Sequence, residues 1–202
     1  MTARGSLYAG HMKKVTSLVP PEQHHAVRFY ENDKSLAQIV AQFLTEGLAL
    51  GHPGIVVATP AHRGAILMEL VTRSVDVVQR ERSGDLVFLD AEEALATFMT
   101  NGKPEPEAFR NGMCEVIKKA CRGRSDCTIR VYGEMVDVLW KNGQQAAAID
   151  LEMLWNQLAN THAFSLLCGY AMGQFYKDAN IPDICRQHTH VVAADGGMSA
   201  VA

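Results

Sequence analysis

No stretch of the 202-residue chain holds an apolar run long enough to span a membrane, and its start lacks the charged, apolar and small-residue regions of a secretory leader. Both absences point to a cytoplasmic protein. An excess of one charge is missing too. Nineteen Lys and Arg stand against 22 Asp and Glu, a net charge of −3, and the pI is near 6.2. Neither nucleic acid nor an anionic membrane finds an electrostatic footprint there. Paired Cys-x-x-Cys spacings, internal repeats and low-complexity tracts are also lacking. The cysteines, Cys114, Cys121, Cys127, Cys168 and Cys185, therefore read as free thiols, mostly buried as small hydrophobes in a reducing compartment. Cys114 and Cys121, a heptad apart, suit one face of a helix better than a disulfide.

What is present is ordinary for one globular domain: 48% hydrophobic and 20% charged residues. Residues 1–20 read as a tail, in which Gly5-Ser6-Leu7 and Gly10-His11-Met12 resemble an expression leader. Residues 21–195 form the domain, and 196–202 a small, polar, frayed end. Within the domain, strands alternate with helices. Ala26–Tyr30, Gly54–Thr59, Leu86–Asp90, Thr128–Gly133 and Phe164–Tyr170 are rich in β-formers or continuously apolar. Leu36, Ile39, Val40, Phe43 and Leu44 mark a helical face, capped by Asn32 or Asp33. Further helices are expected around Ile66–Val71, Ala91–Met99, Glu107–Cys121, Val136–Trp140, Ala146–Leu158 and Ile181–Val192, with Asn101–Pro104 a loop.

Such alternation implies an α/β fold of three layers, a mostly parallel sheet flanked by helices. In these sheets ligands bind outside the carboxyl ends of the strands. The candidate ligand-binding residues are therefore Tyr30, Thr59, His62, Arg63, Asp90, Glu134 and Tyr170, with His25 beside them.

Several motifs resemble one family. They are His25-Ala26-Val27-Arg28-Phe29-Tyr30-Glu31, Gly47-Leu48, the run Val57 to His62, and Arg130-Val131-Tyr132-Gly133-Glu134-Met135-Val136. Leu151-Glu152-x-Leu154-Trp155-Asn156, Phe164 to Tyr170, and Ile184-Cys185-x-x-His188-x-His190-Val191 complete the set, over about residues 24 to 194. The chain resembles the methanogen/methylotroph, DcmR-like sensory domains (MEDS). That resemblance implies descent from RecA/KaiC-like ATPases, a small-molecule ligand such as a hydrocarbon derivative, and a signalling partner such as a histidine kinase or transcription regulator. It names no cofactor. A homodimer follows by analogy only. Gly47-Leu48-x-x-Gly51 and the apolar strand to Thr59 occupy the place where KaiC-like proteins have Gly-Leu-x-x-Gly, a strand and then the phosphate loop. Thr59-Pro60-Ala61-His62-Arg63-Gly64-Ala65-Ile66 keeps one glycine, no Lys-Ser/Thr pair, and a proline without a donor. The loop reads as degenerate and hydrolysis as lost, with Arg63 still able to meet an anion.

Two readings remain for several residues. Glu134 either pairs with a base such as Arg130 or caps the next helix, or else faces the pocket. Asp90 shares that ambiguity, and His62 either contacts ligand or caps. Cys185-x-x-His188-x-His190 has a spacing compatible with metal ligation, which Cys168 and His24 or His25 can complete. The bland alternative is a core Cys168 and a hydrogen-bonded His188. Trp140 and Trp155, with Leu139, Leu151, Leu154 and Leu158, form a stripe suited to core or dimer packing, and Met135, Met153 and Met172 to core or an adaptable pocket wall. The leading expectation is a non-catalytic sensor. Its rivals are a residual nucleotide-dependent enzyme and a metal- or redox-responsive switch.

Overall fold

The computed structural model describes residues 24–124, 127–174, 181–193 and 196–201; the expected leader at 1–20 lies outside them. The strands are β1 (His25–Tyr30), β2 (Gly54–Ala58), β3 (Leu86–Asp90), β4 (Met99–Thr100), β5 (Lys103–Pro104), β6 (Ile129–Gly133), β7 (Phe164–Ala171), β8 (His190–Val192) and β9 (Met198–Ala200). The α-helices are α1 (Asp33–Ala49), α2 (Pro60–Thr72), α3 (Val77–Ser83), α4 (Ala91–Ala96), α5 (Pro106–Cys121), α6 (Met135–Lys141), α7 (Gln145–Ala159) and α8 (Ile181–Cys185). Seven strands form one sheet in the order β3-β2-β6-β7-β1-β8-β9. All pair in parallel except β9, which runs antiparallel to β8.

Local chemistry explains most element boundaries. The Asn32 side chain accepts from the Lys34 and Ser35 amides and starts α1; Asp76 and Asp90 do the same for α3 and α4. Pro60 and Pro106 occupy first turns, where the missing N–H costs nothing. Leu36, Val40, Leu44, Ile66, Leu70 and Val77 of α1–α3 pack on Val56, Tyr132 and Leu167 of the sheet. Leu95, Phe109, Leu139, Trp140, Leu151, Trp155 and Ile184 of the later helices pack on Val27, Val131 and Leu166 of the other face. The result is the expected three-layer α/β fold. The Trp140–Trp155 stripe is core, as is Met135, whereas Met153 is exposed. No helix among the described residues is long and apolar enough to cross a membrane.

Four sequence-based expectations give way. The segment Ile181–Val192 is helical only to Cys185; Val191 and Val192 then extend beside β1, where β-branched residues satisfy an otherwise open edge. The end beyond residue 195 is not frayed throughout, because Met198–Ala200 pairs with β8 as β9. The helix from Ala91 stops at Ala96, and Met99–Pro104 forms a small hairpin around Asn101-Gly102, both at positive φ (52° and 75°). Asn-Gly is the pair that a tight hairpin turn selects. Finally, Cys121 and Cys127 form a disulfide across the turn after α5, their Cα atoms 5.7 Å apart. Of the free cysteines only Cys168 is buried; Cys114 and Cys185 are half-exposed.

Two glycines make opposite demands. A Cβ at Gly169 would stand 2.8 Å from the Tyr132 hydroxyl, whereas one at Gly64, on exposed α2, meets nothing within 4 Å. Gly169→Ala is expected to destabilise the fold by about 1–3 kcal/mol, and Gly64→Ala to stabilise it by about 0.4–1 kcal/mol. Urea midpoints of the two variants check both signs.

Candidate functional site

The helices after β1 and β2 lie on one face of the sheet, and those after β6 and β7 on the other. Crevices therefore open at the carboxyl ends between β2 and β6 and between β7 and β1, where parallel sheets hold ligands. In this chain each crevice contains a carboxylate supplied from the start of α6. Glu134 fills the first. Its Oε1 accepts from the Thr59 amide at 2.6 Å, and its Oε2 from His62 Nδ1 at 2.6 Å and the Tyr132 hydroxyl at 2.9 Å. Asp137 fills the second. Its Oδ1 accepts from the Ala171 amide at 2.9 Å, and its Oδ2 from the Tyr30 hydroxyl at 2.9 Å. Lys141, one turn along α6, places Nζ 2.7 Å from Asp137 Oδ2.

The electrostatics follow from these partners. His62 presents Nδ1 to Glu134 and Nε2 to Asp33 Oδ1 at 3.3 Å, so both ring nitrogens face carboxylates. The hydrogen bond to Glu134 raises the imidazole pKa, prevailing over burial. Burial pushes Glu134 up, but the His62 bond and charge and the Thr59 amide together hold it below the usual carboxylate range. Tyr30 and Tyr132 are pushed far up, first by burial and then by the neighbouring carboxylates, and stay neutral donors. At the adjoining end of β3, Arg63 Nη2 donates to Asp90 Oδ2 at 3.0 Å, while Asp90 Oδ1 caps α4.

Of the candidate ligand-binding residues, Tyr30, Thr59, His62 and Glu134 thus share one hydrogen-bonded edge, with Arg63 and Asp90 paired beside it. Glu134 pairs with His62 rather than Arg130, whose guanidinium instead lies over the Phe43 ring. The lysine–serine pair missing from Thr59–Ile66 stands at the first turn of α1 as Lys34-Ser35. No glycine occurs between Arg28 and Asp33 ahead of it. The amides of Lys34 and Ser35 are taken by Asn32 Oδ1, at 2.9 and 3.2 Å.

His25 and Tyr170 belong elsewhere. They lie on the opposite face of the sheet, against α7, and meet Cys168, His188 and Glu152. His25 Nε2 is 3.2 Å from Cys168 Sγ and 3.1 Å from Glu152 Oε2. His188 Nε2 is 3.4 Å from Glu152 Oε1, and the Tyr170 hydroxyl donates to that oxygen at 2.8 Å. Burial and Glu152 together push the Cys168 thiol up. Cys185 and His190 are not part of this cluster. His190 Nδ1 is 2.9 Å from Thr189 Oγ1, and its ring meets that of His24 edge-on.

Sequence reading missed Asp137, Glu152 and Asn156 as site residues. A signal existed for Glu152: it shares a 3-and-4 spacing with Ala148, Leu151 and Trp155, an acid on the apolar stripe of its helix. A shallow, mostly apolar hollow of about 280 Å³ lies beside Asp90, between α4 and α5, lined by Leu89, Ala94, Gly112, Met113 and Val116.

Against models of known protein families, residues 24–189 match the one described as the MEthanogen/methylotroph, DcmR Sensory domain, MEDS. No curated protein gives a significant match.

The His62–Glu134 pair makes stability depend on pH in a signed way. The contribution of protonated His62 is complete below its unfolded value of 6.5 and is lost as pH rises through the raised folded value. That of Glu134 is complete above 4.5 and is lost as pH falls through the lowered folded value. The stability gap between the wild type and His62→Gln is therefore expected to be widest between those limits, about 3 kcal/mol, and to shrink on either side. Urea unfolding across a pH series measures it, and a flat gap contradicts the assignment.

Proposed function

The chain belongs to the MEDS family of sensory domains, and from that premise we propose that it is a non-catalytic signalling module. It binds a small molecule at the carboxyl edge of its sheet and relays occupancy to a partner protein, such as a histidine kinase or transcription regulator. One observation carries the reading against nucleotide chemistry. Both crevices where a phosphate group would enter are filled by the chain's own carboxylates, and the Thr59 and Ala171 amides already donate to them. A phosphate there would stand next to Glu134 or Asp137, like charge against like charge.

The hollow beside Asp90 offers a site of another chemistry. Its lining is mostly aliphatic, with the Asp90 and Glu93 carboxylates at the rim. That suits a compound of a few carbon atoms with one polar group, in keeping with a hydrocarbon derivative. Relay has a route on the same edge. Arg63 ties Asp90 to α2, and α2 exposes Met68 and Val71 to solvent, 63% and 51% accessible, as an apolar face for a partner. A ligand that prefers one setting of the Arg63–Asp90 pair shifts α2 by its differential affinity.

Thermal unfolding with a panel of short-chain alcohols and haloalkanes tests the reading. At about a hundredfold excess over Kd, a true ligand is expected to raise Tm by about 5–10 °C. Gly112→Leu, whose side chain enters the hollow, is expected to abolish that rise while leaving the unliganded Tm unchanged or higher. Magnesium-dependent ATP turnover that disappears in Glu134→Gln would instead favour a nucleotide-dependent enzyme. No shift with any compound, together with no captured partner, would overturn the sensor reading.

A further inference from the structure

The cluster on the α7 face has too few protons for its acceptors. The His188 Nδ1 lies 2.7 Å from the Ile184 carbonyl oxygen, which can only accept, so the ring proton sits on Nδ1. For His25, the Asn156 amide nitrogen donates to the Gln187 carbonyl at 2.9 Å. That orients Asn156 Oδ1 toward His25 Nδ1, also at 2.9 Å, which must therefore donate. Both neutral rings consequently aim Nε2 lone pairs inward. His188 Nε2 is buried without any hydrogen-bond partner, its side chain fully inaccessible. Two lone pairs and the Glu152 carboxylate share one thiol proton, that of Cys168, and one hydroxyl proton, that of Tyr170.

We propose that His25 Nε2, Glu152, Cys168 Sγ and His188 Nε2 bind a divalent transition-metal ion, zinc in the first instance. The four ligand atoms lie within 4.8 Å of one another. Their closest separations are 3.1, 3.2, 3.4 and 3.4 Å. Tetrahedral zinc with N and O ligands at about 2.0–2.1 Å and sulfur at about 2.3 Å sets ligand–ligand edges of about 3.3–3.6 Å. His25, Cys168 and one Glu152 oxygen already stand at such edges, while His188 faces the other Glu152 oxygen and closes the remaining gap, within the 4.8 Å bound, by a shift of ring and carboxylate. Charge agrees as well. A dication with one thiolate, one carboxylate and two neutral imidazoles sums to zero, whereas two imidazolium rings facing one carboxylate would bury a net positive charge. Asn156, Ile184 and Tyr170 supply the outer hydrogen bonds that orient metal ligands.

This site is independent of the hollow beside Asp90, and either can fail without the other. Four ligands from the chain complete a tetrahedral shell, the arrangement of a structural rather than a catalytic ion. It would fasten α7 and the segment entering β8 onto β1 and β7. Binding displaces the Cys168 proton to solvent.

The test uses the full chain, purified without a polyhistidine tag, stripped with chelator and dialysed against zinc or cobalt(II). About one equivalent of zinc is expected by elemental analysis, and cobalt(II) is expected to give a thiolate charge-transfer band with tetrahedral d–d bands. Cys168→Ser should abolish the charge-transfer band. Asn156→Ala should weaken zinc binding about 10–100-fold, while Cys185→Ser and His190→Ala leave the stoichiometry and the spectrum unchanged. Circular dichroism confirms that each variant is folded. Folded wild-type protein that takes up neither ion, or that takes up cobalt(II) with an octahedral spectrum lacking the thiolate band, overturns the proposal. So does metal binding that depends on Cys185 or His190.

Discussion

The carboxylate of Glu134 is the point on which the carboxyl edge of the sheet depends. It is buried and it holds three donors at once: the amide that opens α2, the imidazole of His62 and the hydroxyl of Tyr132. A buried charge is tolerated only when its lone pairs are answered, and here they are. Through His62 the same group reaches Asp33 at the start of α1. Thus the first two helices and the interior strand β6 are referred to one anionic centre. Asp137, three residues on, repeats the device for β1 and β7. A phosphate-binding sheet leaves its strand-end amides open for an anion that arrives from solution. In this chain the anion is built in, and the edge is fixed in advance of any ligand.

The two faces of the sheet divide the remaining polar chemistry. On the carboxyl edge, carboxylates are matched by cations and donors: His62 for Glu134, Lys141 for Asp137, Arg63 for Asp90. Under α7 the balance is reversed, with acceptors gathered around too few protons. The first arrangement is complete within the chain. The second calls for something from outside it, which is why the two clusters carry different conclusions.

Much of the architecture was legible in the amino-acid order. Runs rich in β-formers or continuously apolar marked five strands of the parallel sheet to within a residue or two. The short elements were not legible. β8 and β9 are three residues each, and they exist because β1 offers an open edge, a fact of tertiary structure. Asn101-Gly102 did carry its hairpin signal, but strands of two residues are too short for alternation to register. At the site, residues at strand ends could be nominated from topology alone, and Tyr30, Thr59, His62 and Glu134 do meet. Tyr170 was nominated by the same rule and lies instead on the other face, in the cluster that His25 joins from the start of β1. Asp137 looks like an ordinary helical acid until the packing direction of α6 is known, whereas Glu152 stands out on the apolar stripe of α7. The Cys121–Cys127 disulfide depended on a turn whose geometry no spacing rule encodes.

The position of β1 has a bearing on how the chain comes to be folded. β1 is the first of the described strands to be synthesised, yet its neighbours are β7 and β8, drawn from residues 164–171 and 190–192. A nascent chain can assemble β2 with β3 and their helices early, but β1 finds its first neighbour only once β7 has been made and its second only with β8. Such long-range closure is slow, and it leaves an apolar strand unpartnered while the ribosome is still at work. Closure of this sheet around β1 therefore waits until residues 164–192 have been made.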